Sequence, residues 1–136
     1  MSLATCRLVD LPVLSDPRGK LTVVEHGAHA PFAFERAYYL YGVPEGEARG
    51  GHAHKNLHQF MIALSGGFDV HIEDGKGRRS IRLDRPDQGL YICPMIWREL
   101  DNFSASSICL VLASAVYDED DYIRDYDTFL SAAARR

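Results

Sequence analysis

Apolar and polar side chains alternate with a period of two along most of this chain. Phe68, Val70 and Ile72 alternate with Asp69, His71 and Glu73, the pattern of a strand with one covered and one wet face. Asp74-Gly75-Lys76-Gly77 follows with turn residues and Ser80 to Leu83 returns, which predicts a hairpin. The same reading predicts strands over Lys20 to His26 (after a turn at Ser15 to Gly19), Arg36 to Tyr41, Gln59 to Leu64, Leu90 to Cys93 and Ile108 to Ala113. Such a set of short strands means a sandwich or barrel. Near the end the period changes. Tyr122, Tyr126, Phe129, Leu130 and Ala133 recur at helical spacing, with Asp118 to Asp121 before them and Arg135 and Arg136 after, an order of charge that suits a helix dipole. The expectation is an all-β body with a short C-terminal helix, whose solvated start is the acidic run.

A length of 136 residues predicts one domain, 1–136. The 46% hydrophobic and 25% charged residues argue against a disordered chain. The net charge of −4, carried with 12 Arg and 3 Lys, leaves no basic stripe, so no nucleic-acid partner is expected. The longest apolar runs, such as Ile108 to Ala113, are too short to span a bilayer, and Arg7 and Asp10 interrupt the N-terminal one. Neither a membrane association nor a secretory signal is expected. Cys6, Cys93 and Cys109 show no CxxC spacing and read as reduced thiols of a cytoplasmic protein.

The chemistry concentrates between Gly46 and Gly66. His52 and His54 stand two apart, which on a strand puts both imidazoles on one face. Such a pair begins a metal site or an acid–base site. The frame around it, Gly46-x5-His52-x-His54-x4-Gln59-x6-Gly66, resembles the first cupin motif in every spacing, with Gln59 where Glu is usual. The second cupin motif is degraded: Gly89 and Pro94 are one residue too close, and Ile96, Glu99 and Phe103 replace Gly, His and Asn. Two histidines, a neutral amide and Glu99 make a diluted donor set for a transition metal. Proton transfer by the histidines without metal fits the residues better than a metal site built on His52, His54, Gln59 and Glu99.

The strings "RGGHAHKNLHQ", "PMIWRELDNFS" and "LVLASAVYDEDDYIRDYDTFL" resemble the nucleotide-sugar 3,4-ketoisomerase family of cupins. The similarity runs from "DPRGKLTVVE" through the tail. The resemblance implies a jelly-roll fold and a homodimer with an exchanged N-terminal strand region. It also implies action on dTDP-4-keto-6-deoxyglucose in deoxy-aminosugar synthesis, with no metal or other cofactor. Arg98 stands where the family often has His, which bears on proton delivery at C4.

A 3,4-ketoisomerase needs a base near neutral pKa, a donor and stabilisation of oxyanion charge. His54 is the expected base, and His52 either donates to a developing oxygen or is structural, paired to Gln59. Tyr39 is the expected phenol donor; Tyr41 shares its strand face, while Tyr38 faces the other way. Arg49, before Gly50-Gly51, and secondarily Arg36 are expected at the diphosphate. Arg98 is expected to bind the sugar or stabilise the enediolate. Trp97 stacks on a ring or fills core space, and Gln59 bonds a histidine or the sugar. His58 and His71 are expected to face solvent. Three alternatives stay open: a metal-dependent cupin enzyme, an epimerase on a related 4-keto sugar, and a non-catalytic sugar- or nucleotide-binding cupin.

Overall fold

A computed structural model describes residues 2–135. Its strands are β1 (Arg7–Asp10), β2 (Val13–Asp16), β3 (Gly19–Thr22), β4 (Arg36–Tyr41), β5 (Arg49–His54), β6 (Gln59–Ser65), β7 (Phe68–Glu73), β8 (Arg78–Leu83), β9 (Gln88–Ile92), β10 (Trp97–Asp101), β11 (Ile108–Ala113) and β12 (Tyr122–Ile123), followed by helix α1 (Tyr126–Ala134). One sheet has the order β1-β9-β6-β11-β4 and the other β12-β5-β10-β7-β8. From β5 to β11 the chain passes back and forth between the two sheets, as in a jelly roll. The all-β expectation with a short C-terminal helix is met.

The alternation read from the sequence sets the core. Phe68, Val70 and Ile72 point inward from β7, and meet Leu90 and Ile92 of β9 and Cys109 and Val111 of β11 in one buried cluster. The β7–β8 hairpin closes at Asp74, whose carboxylate Oδ1 accepts from the amides of Lys76 and Gly77. Strand β6 is buried on both faces over most of its length. Its Phe60 ring fills the space beside Gly89, where a Cβ would lie 2.0 Å away.

Several boundaries differ from expectation. The N-terminal strand is a hairpin of β2 and β3 turning at Pro17-Arg18. Asp16 accepts from both the backbone and the guanidinium of Arg18, so the turn chemistry lies two residues later than Ser15. Val23 to His26 continues as irregular chain. The helix begins at Tyr126, capped by Asp125 through the Thr128 amide. Tyr122 instead sits in β12, opposite His54 of β5. Edge pairing to β5 outweighs helical periodicity there.

Candidate active site

The site forms where β5, β10, β6 and β4 present their inward residues. Arg98 of β10 is the direct cross-strand neighbour of His52 on β5. The two strands approach closely at Gly50, whose φ is 86° and whose Cβ would meet the Arg98 carbonyl at 3.0 Å. A side chain there would push β5 away from Arg98.

The two imidazoles stand edge to face with centroids 4.9 Å apart, and Tyr122 packs against both. His54 is fully buried. Its Nδ1 lies 3.0 Å from Asp121 Oδ2, and the other oxygen of Asp121 accepts from the Asn56 amide at 2.8 Å. Burial first, then the positive charge of Arg98, pushes the His54 pKa down to about 2; the same two causes push His52 down to about 3. Both rings are therefore neutral near pH 7. A neutral His54 carries its proton on Nδ1 to donate to the carboxylate, which leaves the Nε2 lone pair free to act as a base.

Arg98 is 1% exposed. Its Nε and Nη2 donate to the Ile96 carbonyl at 3.2 and 3.0 Å, and its Nη1 donates to Gln59 Oε1. Gln59 Nε2 donates in turn to the Tyr38 hydroxyl at 2.9 Å. Gln59 thus serves Arg98 and Tyr38 and is not the partner of a histidine. Arg49, Gly50, His52, Tyr38, Gln59 and Arg98 line one small cavity of about 70 Å³. Arg36 and His54 line a neighbouring one of about 140 Å³.

Other expected site residues fall elsewhere. Tyr39 and Tyr41 are 61% and 71% exposed and stack on each other outside the barrel. The β4 pleat turns Tyr38 inward, so Tyr38 is the phenol at the histidine site. Trp97 and Glu99 lie on the face of β10 opposite Arg98. Trp97 is buried under α1 against Phe129, and its Nε1 donates to Glu99 at 2.9 Å. Trp97 is a packing residue for the helix, and Glu99 is turned away from the histidines. With Gln59 held by a guanidinium, the four-ligand metal set does not assemble. Among the described residues no three His, Cys, Asp or Glu groups converge as metal ligands.

Two histidines expected at the surface are tied down. His58 Nδ1 lies 2.7 Å from the Tyr91 hydroxyl and its ring stacks on that of Tyr91. His71 bridges Ser80 and Asp101, both at 2.7 Å. Asp121 was the functional residue missed. Its only signal was the acidic run itself, which folds as a 3-10 turn at Glu119–Asp121 and brings that carboxylate, 67 residues along the chain, to His54.

The depressed histidines make stability depend on pH. His54 titrates near 6.5 when unfolded and far lower when folded, so below about pH 6.5 the unfolded chain takes up a proton that the folded chain refuses. Stability is full above that value and falls with acidification, by up to about 1.4 kcal/mol per pH unit for this histidine. Thermal melts at about pH 7.5 and about pH 5 are expected to show a lower Tm in acid, with a smaller drop in His54→Asn. Equal drops in the two proteins would show that another group is responsible.

A jelly roll holding a neutral histidine pair, a carboxylate behind one ring and a buried guanidinium beside them defines a cupin-type acid–base enzyme site. The chain belongs to the family described as "FdtA: WxcM-like, C-terminal", whose model matches residues 4–134. It is 40% identical over 129 residues to the TDP-4-oxo-6-deoxy-alpha-D-glucose-3,4-oxoisomerase of Aneurinibacillus thermoaerophilus, covering 95% of this chain and 93% of that one. Among solved structures it is similar to a histidine-to-asparagine mutant of the 3,4-ketoisomerase QdtA from Thermoanaerobacterium thermosaccharolyticum, in complex with TDP-4-keto-6-deoxyglucose. That match has a TM-score of 0.95 at 38% identity, over 98% of this chain and 97% of that one. It is also similar to WlaRB, the TDP-quinovose 3,4-ketoisomerase of Campylobacter jejuni, with a TM-score of 0.91 at 44% identity over 95% and 99% of the two chains.

Proposed function

We propose that this chain is a 3,4-ketoisomerase of TDP-4-keto-6-deoxyglucose, working by proton transfer from C3 to C4 through an enediolate. The observation that carries the mechanism is the buried His54, held through Nδ1 by Asp121 and left with a free Nε2. The C4 ketone acidifies the C3 proton. His54 Nε2 removes it, charge moves onto the C4 oxygen, and reprotonation at C4 leaves the carbonyl at C3. Hydrogen moves as a proton throughout, so the step is redox-neutral for the protein. His52, beside the base, is the shuttle or donor for the sugar oxygens. Tyr38 takes the phenol role expected of Tyr39. Arg49, exposed at the start of β5, meets the diphosphate. Gln59 fixes Arg98 along one wall of the sugar site.

The chain is proposed to work as a homodimer. Leu14 and Leu21 on the β2–β3 hairpin are 59% and 56% exposed, and Val13, Leu64, Tyr39 and Tyr41 are exposed as well. A second copy would cover these apolar groups and the open edge of β4. The three buried, free thiols support a cytoplasmic location.

Proton NMR of EDTA-treated protein with TDP-4-keto-6-deoxyglucose in D2O tests the reading. The expected result is loss of the C3 proton signal together with appearance of a 3-keto sugar. Exchange at C3 with the carbonyl retained at C4 would identify an epimerase instead. Turnover only after divalent metal is restored would overturn the metal-free mechanism.

A further inference from the structure

Buried polar atoms in folded proteins almost always have hydrogen-bond partners. Among the described residues two buried side-chain atoms have none: Arg36 Nε and His54 Nε2. Both residues line the same cavity of about 140 Å³, together with Asn56, Ser114, Asp121 and Tyr122. An unused donor and an unused lone pair in one cavity are what a ligand with an acceptor oxygen and an acidic C–H would complete.

We propose that Arg36 is the electrophile of the isomerisation: its guanidinium receives the C4 oxygen of the keto sugar as the enediolate forms, in the cavity where His54 takes the C3 proton. This rests on the ketoisomerase reading above and assigns the oxyanion partner within it. The step balances without any further reagent. The C3–H bond breaks, its proton goes to His54 Nε2, its electron pair forms the C3–C4 double bond, and the former carbonyl pair becomes the C4 oxyanion.

Position and freedom single out Arg36. It lies on the inward face of β4, two residues from Tyr38, with its guanidinium carbon 5.3 Å from the Tyr38 ring centroid and 5.7 Å from that of Tyr117. These rings hold the cation without using its in-plane N–H donors. Among the described residues it forms no ion pair, so its charge is not already neutralised by a carboxylate. Arg98, the other cation near the histidines, differs on both counts. Each of its three nitrogens already donates, to Gln59 or Ile96, and it lines the cavity of His52 rather than that of His54. Arg36 also adds to the forces that keep His54 neutral, so base and electrophile are coupled.

The test uses Arg36→Ala, Arg36→Lys and the wild type. In Arg36→Ala, kcat is expected to fall by about 10²–10³-fold, the loss typical of an oxyanion donor, while the Kd of TDP measured by calorimetry stays within about threefold. Guanidinium chloride at a non-denaturing concentration is expected to restore part of kcat in Arg36→Ala, and the acid limb of the kcat–pH profile is expected to move to higher pH. Arg36→Lys keeps a charge but not the planar fork, and is expected to fall between the two. A TDP affinity that drops while kcat holds would make Arg36 a diphosphate clamp and overturn the proposal. So would unchanged kcat, or a loss with neither guanidinium rescue nor a shifted pH limb, which marks a purely structural role. Failure of the wild type itself to exchange the C3 proton would instead overturn the ketoisomerase reading.

Discussion

His54→Asn is expected to lower kcat for ketoisomerisation by about 10²–10⁴-fold, the range lost with a positioned general base, with little change in TDP affinity. Asparagine is a suitable replacement because its amide can still donate to Asp121 Oδ2, the partner of His54 Nδ1. The buried carboxylate then keeps a partner, and the 3-10 turn that carries it stays in place. What asparagine lacks is the second nitrogen. The Nε2 lone pair is the only feature of His54 without a partner, and it is the atom the reaction requires. Single-turnover NMR of the C3 proton would separate chemistry from binding. Activity within about tenfold of wild type would transfer the base role to His52, which stands 4.9 Å away, ring to ring, but lines the other cavity.

The second large effect is expected from Asp121→Asn, a loss of about 10²–10⁴-fold in kcat by analogy with other buried His–carboxylate pairs. The reasoning is about tautomers. A carboxylate only accepts, so His54 must hold its proton on Nδ1 and expose a basic Nε2. An asparagine oxygen has to satisfy the Asn56 amide, which now donates to Asp121 Oδ1 at 2.8 Å. That leaves the asparagine NH2 facing Nδ1, which favours the proton on Nε2 and blocks the base. Asp121→Ala removes the wrong donor as well as the right acceptor, and is expected to be less damaging to kcat than Asp121→Asn. The reverse order, or equal kcat in all three proteins, would mean that the carboxylate does not set the tautomer.

Residues in local patterns were legible from the sequence. The alternation in Phe68 to Glu73 and the turn at Asp74 to Gly77 depend only on neighbours along the chain, and both stand as read. The histidine pair on one strand face was legible for the same reason: a spacing of two fixes the face whatever the strand packs against. Tyr39 was misplaced because alternation within β4 says which tyrosines share a face, and not which face is inside. Trp97 was misplaced because α1 covers the outer side of β10, and no local pattern announces a helix arriving from 29 or more residues away.

The sequence by itself determined the all-β body, the histidine pair and the family, because these reside in short-range spacing and side-chain type. Only the tertiary structure decided what each polar group faces. It set Asp121 behind His54, Gln59 on Arg98 and not on a histidine, and Arg36 in the cavity with the free Nε2. The reason is physical. A buried polar group takes its partner from whatever element packs against it, and at this site those partners come from strands and turns far apart in the chain.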